Sequence, residues 1–211
     1  MTIPSVPTGD VLTVSDAITW PSEEIPAPGH YCFVAVTGNL KDPKPGLASM
    51  STFDQYLTLI ENNNNIAWRN FNVVQGPPSA GSPPGYYRLP FLIAGAFDTS
   101  HVFSFETISR LPGKSRVFLE LPQWLAESLR SRSAEIEFDA KTQTARIPIT
   151  ASGIQQLGTA VLHAKSTAKC RMLVKIPDAE NKKSAYEIAI RQIYKKQEVG
   201  RVTWRVGGPK K

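Results

Sequence analysis

The chain has 211 residues, 41% hydrophobic and 20% charged, with 17 prolines, two cysteines and a formal net charge of +6. That apolar content excludes a wholly disordered chain; two cysteines exclude a disulfide scaffold or a four-thiolate zinc site; and no run reaches the roughly 20 apolar residues that span a bilayer. The opening MTIPSVPTGD lacks a basic stretch followed by an apolar one and reads as no secretory signal. The expectation is either a cytoplasmic protein, if this is a full reading frame, or a piece of a longer exported chain.

Charge is unevenly placed. Residues 1–76 hold three basic residues (Lys41, Lys44, Arg69) and seven acidic ones, a net −4, and the remaining 21 basic and 11 acidic residues give +10. Between the halves, QGPPSAGSPPG carries four prolines and no periodic apolar pattern. Proline fixes φ and removes a backbone donor, so this stretch reads as a semi-stiff spacer. The expected division is 1–76, a linker at 77–85, and a basic unit at 86–211.

In the first unit, GDVLTV, ITW and HYCFVAV are short apolar or alternating runs separated by Pro and Gly, as in strands. Both faces of HYCFVAV are apolar, which predicts a strand that is central and buried on both sides, or one at a sheet corner. STFDQYLTLIENNNN predicts a short helix, capped by Ser51 or Thr52, with a stripe of Phe53, Tyr56, Leu57 and Ile60. The asparagines that end it suit left-handed or self-bonding backbone; the rival is a calcium site with Asp54 and Glu61, for which carboxylates are few. NIAWRNFNVV follows as a second strand.

Trp20, the PAPGHYC approach to an apolar strand and the NNNNIAWRN strand start resemble bacterial immunoglobulin-like domains related to cell adhesion, over residues 9–76. The resemblance implies a seven-stranded sandwich, often placed C-terminal to secreted hydrolases such as proteases or in surface proteins. It further implies protein or glycan surfaces as partners, the parent catalytic domain among them, and an extracellular or cell-surface location. The helix at 52–61 departs from that pattern.

The second unit is a string of β-like runs. KCRMLVKI turns Cys170, Met172, Val174 and Ile176 inward, GRVTWRV turns Val202, Trp204 and Val206 inward, and AEIEFDA turns Ile136 and Phe138 inward. One-sided strands of this number predict an antiparallel sandwich or barrel. LPQWLAESLRS reads as a helix with Pro122 in its first turn, and ASGIQQLGTAVL as a short further helix. LPGKS, DAKTQ and KKQEVG read as hairpin turns. The expected fold is therefore all-β, two tandem antiparallel immunoglobulin-like sandwiches each carrying a short helix.

Catalytic groupings are sparse. His30, His101 and His163 form no metal-spaced pair, and no nucleophile elbow or phosphate-binding glycine loop occurs. GAFDTSH packs Asp98, Ser100 and His101 together, which reads as turn chemistry. Cys32 and Cys170 read as buried small hydrophobes. The expectation is no enzyme, no cofactor and no metal. Lys169, Arg171, Lys175, Arg201 and Arg205 are the candidate binding residues: if their strands pair, they build a positive stripe for phosphate, acidic glycan or nucleic acid. The plainer alternative is a solvated face whose charges protect sheet edges.

Overall fold

The computed structural model describes residues 24, 29–38, 40–45, 50–63, 65–73, 85–129, 136–177 and 185–207. The strands expected over GDVLTV and ITW, the prolines of the spacer and most of PDAENKK lie outside those residues. The first half contains β1 (Gly29–Val36), α1 (Phe53–Glu61) and β2 (Ile66–Val73). Then come β3 (Tyr87–Ala94), β4 (His101–Arg110), β5 (Arg116–Pro122), α2 (Gln123–Ser128) and β6 (Glu137–Asp139). The order ends with β7 (Thr144–Ile149), β8 (Ser152–Leu162), β9 (Thr167–Lys175), β10 (Ala185–Tyr194) and β11 (Gln197–Gly207).

The fold is all-β, and the strand pairings among the described residues are antiparallel. Four strands form one sheet in the order β11-β10-β4-β8, five form another in the order β3-β9-β5-β7-β6, and β1 pairs with β2. Alternation decides what lies between the two large sheets. Phe103 and Phe105 from β4, with Ile188 and Ile190 from β10, join Leu119 and Leu121 from β5 and Met172 and Val174 from β9 in one buried apolar cluster. Burying each such side chain contributes about 1.5–3 kcal/mol, so this seam dominates the stability of the body. Cys170 lies in it, as the alternation of its strand predicts, and burial pushes its thiol pKa far up.

Sheet membership departs from the expected turns in one place. LPGKS joins β4 to β5, but those strands belong to different sheets, so it carries the chain across the core rather than closing a hairpin. The other two turns do close hairpins, β6–β7 and β10–β11. In the latter, Tyr194 pairs with Gln197 around Lys195 and Lys196, whose φ values of 47° and 70° match the turn that follows strand twist best.

Three local expectations are overturned. ASGIQQLGTAVL is not a helix: it supplies β8, because Gly153 and Gly158 take φ of +98° and +113° and β4 offers a full ladder. β1 is not buried on both faces: Val34 is 43% exposed, and among the described residues β1 pairs with β2 alone. Phe138 is 50% exposed rather than inward, because β6 is a three-residue strand at a sheet edge.

Both short helices are where the sequence predicts them. Thr52 caps α1: its hydroxyl accepts from the Gln55 N–H, and the Gln55 side chain accepts from the Thr52 N–H in return. Asn63 ends it by donating its amide to the Leu59 carbonyl. Leu57 of α1 is buried within the cluster of the two large sheets, and Phe53 and Tyr56 pack against it. The helix read as part of the first unit is therefore seated on the second. α2 buries Leu125 and, just beyond its end, Leu129 beside β5, β7 and β8.

Candidate functional site

The outer face of the five-stranded sheet holds three of the five candidate residues. On β9, Ala168, Cys170, Met172 and Val174 point into the core, which leaves Lys169, Arg171, Leu173 and Lys175 on the other side. The strands beside β9 are β3 and β5, not β10 and β11. Arg201 and Arg205 lie on β11 in the other sheet, so the structure does not gather the five into one stripe. Arg201 pairs there with Glu198 at 2.9 Å, and Arg205 lies opposite Glu187 in the ladder.

The register supplies different neighbours. Arg116 of β5 lies directly opposite Lys175, and Arg88 of β3 and Phe118 of β5 both lie opposite Leu173. Leu173 is only 2% exposed although it faces outward, so the side chains around it form a covered apolar floor. Lys175 Nζ sits 5.8 Å from the centre of the Tyr86 ring, a cation–π distance. Tyr86 in turn lies 6.4 Å from Phe118. Two like charges facing each other across a ladder repel; Arg116 opposite Lys175 makes this end of the face a place where an added anion lowers the energy.

Arg171 has a different role. Glu120, 5% exposed on β5, pairs with Arg171 on one side and with Arg146 Nε at 3.1 Å on the other. Glu137 of β6 lies opposite Arg146 in the ladder, so charge alternates across β9, β5, β7 and β6. Through Glu120 this row ties β9, β5 and β7 together and divides the face. Lys169 and Lys175 remain exposed on either side of it along β9. Sequence reading alone misses Tyr86, Arg88, Arg116 and Phe118. The outward set in RVFLELP (Arg116, Phe118, Glu120) is visible as alternation, but which strand it meets is not.

A second cluster forms where α1 meets the body. Asp98 accepts the Phe53 backbone N–H at 2.9 Å through Oδ2 and contacts His101 Nε2 at 3.0 Å through Oδ1. Tyr194 Oη reaches the other His101 nitrogen, Nδ1, at 3.1 Å. Burial raises the Asp98 pKa, but the backbone N–H groups of Phe53 and Thr99 and the His101 ring outweigh it and hold the carboxyl at about 2. Phe53 packs against His101, Phe103 and Tyr194 with ring centres 5.6 to 6.2 Å apart, and Lys195 pairs with Asp54 on the rim at 2.8 Å. Ser100 turns away to His163 Nδ1 at 3.1 Å. Asp98, His101 and Ser100 therefore form no relay: the two ring nitrogens of His101 are taken by Asp98 and Tyr194, and the Ser100 hydroxyl contacts a different histidine.

The space between the sheets beside Phe91, Phe105, Ile190 and Val202 holds only about 20 Å³, room for roughly one water. An open groove of about 570 Å³ runs along α1, between Met50, Asp54, Thr58, Leu59, Asn62 and Asn63. Among the described residues, no three of His, Cys, Asp and Glu gather to hold a metal ion, and no helix is long and apolar enough to cross a membrane. Comparison with models of protein families, with curated proteins and with solved structures finds no match.

Proposed function

We propose that this chain is a non-catalytic contact module: tandem immunoglobulin-like β-sandwich units on either side of the 77–85 linker, serving adhesion in a larger exported bacterial protein. Its partner is a protein or glycan surface, the parent's own catalytic domain included, and its binding face is the outer side of the five-stranded sheet. The observation that carries this reading is the pairing of Tyr86 and Phe118 with Lys175 and Arg116 over the covered Leu173. Rings beside cations on a rigid sheet suit sugar rings and acidic groups together. The chemistry-bearing groups around His101 support it from the other direction, since they hold α1 in place. The resemblance at 9–76 supports the adhesive context.

The cross-strand pair Arg116–Lys175 favours a second reading, a polyanion- or nucleic-acid-binding module that uses Lys169, Lys175, Arg88 and Arg116. Binding of the whole chain to neutral glycans, acidic glycans, heparin and single-stranded DNA at low and moderate salt separates the two. The contact module predicts binding to a glycan or protein surface that Phe118→Ala weakens about tenfold and salt changes little. The polyanion reading predicts a steep loss with salt and a shallower slope in Lys175→Ala. Turnover of ester, peptide or phosphoester substrates that disappears in His101→Ala would overturn both.

A further inference from the structure

The sheet edges differ in how they are protected. β6, at one end of the five-stranded sheet, is three residues long and bears Glu137 and Asp139. β3, at the other end, contains Pro90 and has β1 beside it. β11, an edge of the four-stranded sheet, carries Arg201 and has β2 along it. Short length, charge, proline or a covering segment are the usual means of keeping an edge from pairing with another chain. β8, the remaining edge, has α2 beside it and a bulge at Leu157, but among the described residues neither short length, nor charge, nor proline protects it. It is eleven residues long, SGIQQLGTAVL, without a charged residue or a proline, in a chain of net charge +6.

β8 is also complementary to itself. Its register on β4 shifts between Gln156, opposite Glu106, and Gly158, opposite Phe105, which leaves Leu157 as an extra residue. The bulge flips the alternation, so that Ile154 and Gln156 face outward before it and Thr159 and Val161 after it. Laid antiparallel on a second β8 with the two-fold axis between Leu157 and Gly158, Ile154 falls opposite Val161 of the second copy and Gln156 opposite Thr159. Every outward residue then meets an outward residue, apolar on apolar and polar on polar. Ile154 and Val161 are 61% and 50% exposed, and the neighbouring Val102 on β4 is 57% exposed. Within one chain Ile108 lies opposite Ile154 and Val102 opposite Val161. Pairing would join these into two continuous rows, each running Ile108–Ile154 and then Val161–Val102 of the second copy.

We propose that two copies of this chain associate through β8 in that register, merging their four-stranded sheets into one of eight strands. The symmetry is isologous, so each favourable pair occurs twice. Sedimentation of the whole chain at roughly 100 µM, where even a weak homodimer is populated, tests it with two double variants. Ile154→Lys with Val161→Lys sets lysine opposite lysine at both pairs and is expected to weaken association at least about tenfold. Ile154→Lys with Val161→Glu sets lysine opposite glutamate and is expected to stay within about threefold of the wild type. Both residues are exposed, and far-UV circular dichroism checks that the sheets persist. A monomeric wild type, which would leave the edge to a strand of another protein, overturns the proposal. So do two variants that behave alike.

Discussion

Asp98 is the side chain on which the seating of α1 most depends. It is 9% exposed, it accepts the Phe53 N–H that the helix itself cannot satisfy, and it orients His101 against Tyr194. Asp98→Ala removes both acceptors without adding bulk. A carboxyl held at about 2 rather than 3.8 corresponds to about 2 kcal/mol, since each unit is worth about 1.4. Losing a helix cap and a hydrogen bond to a charged group independently gives about 2 kcal/mol. The sign follows from a folded value below the unfolded one: the stabilisation is complete above about pH 4 and is lost as pH falls toward about 2. Unfolding free energies of wild type and variant from urea melts should therefore differ by about 2 kcal/mol at pH 7 and by under about 1 kcal/mol near pH 2.5. Hydrogen exchange in α1 should rise in step, because the helix opens locally before the sheets do. A variant as stable as the wild type at neutral pH, or a deficit independent of pH, would refute the assignment of Asp98 as an ionised anchor.

Further substitutions probe the frame that carries the sites. A Cβ on Gly158 would lie 2.5 Å from the Leu129 carbonyl oxygen at φ +113°, so Gly158→Ala should cost about 2–4 kcal/mol in a urea melt. Gly113→Ala, where a Cβ meets nothing within 4 Å, should be neutral or slightly stabilising and serves as its control. Glu120→Gln leaves Arg146 and Arg171, 42% and 39% exposed, without their shared carboxylate; partial exposure limits the expected loss to about 1–2 kcal/mol. A double-mutant cycle with Arg171→Leu should return a coupling of about 1 kcal/mol, and simple additivity would remove the ion pair from the account.

Much of the candidate face was legible in part. Lys169, Arg171 and Lys175 share one side of β9 because a strand has a period of two, and that side is settled by Cys170, Met172 and Val174 needing the core. Their company was not legible. Arg201 and Arg205 occur on an equally regular strand, yet they belong to the other sheet, while Arg116, from a run that reads as a separate hairpin, stands opposite Lys175.

The residue order by itself determined the elements that depend on neighbours in the chain: the one-sided strands of an all-β fold, the Thr52–Gln55 box that starts α1, the Pro122 start of α2 and the tight Lys195–Lys196 turn. Only the tertiary structure decided what depends on distant partners. It carried LPGKS across the core, made a strand of SGIQQLGTAVL where β4 offered a ladder, seated α1 on Asp98 and His101, and left β8 as an uncharged edge. Alternation and capping are local energies set within a few residues. Sheet membership and register follow from burying surface across the whole chain, and many local patterns are compatible with several such burials.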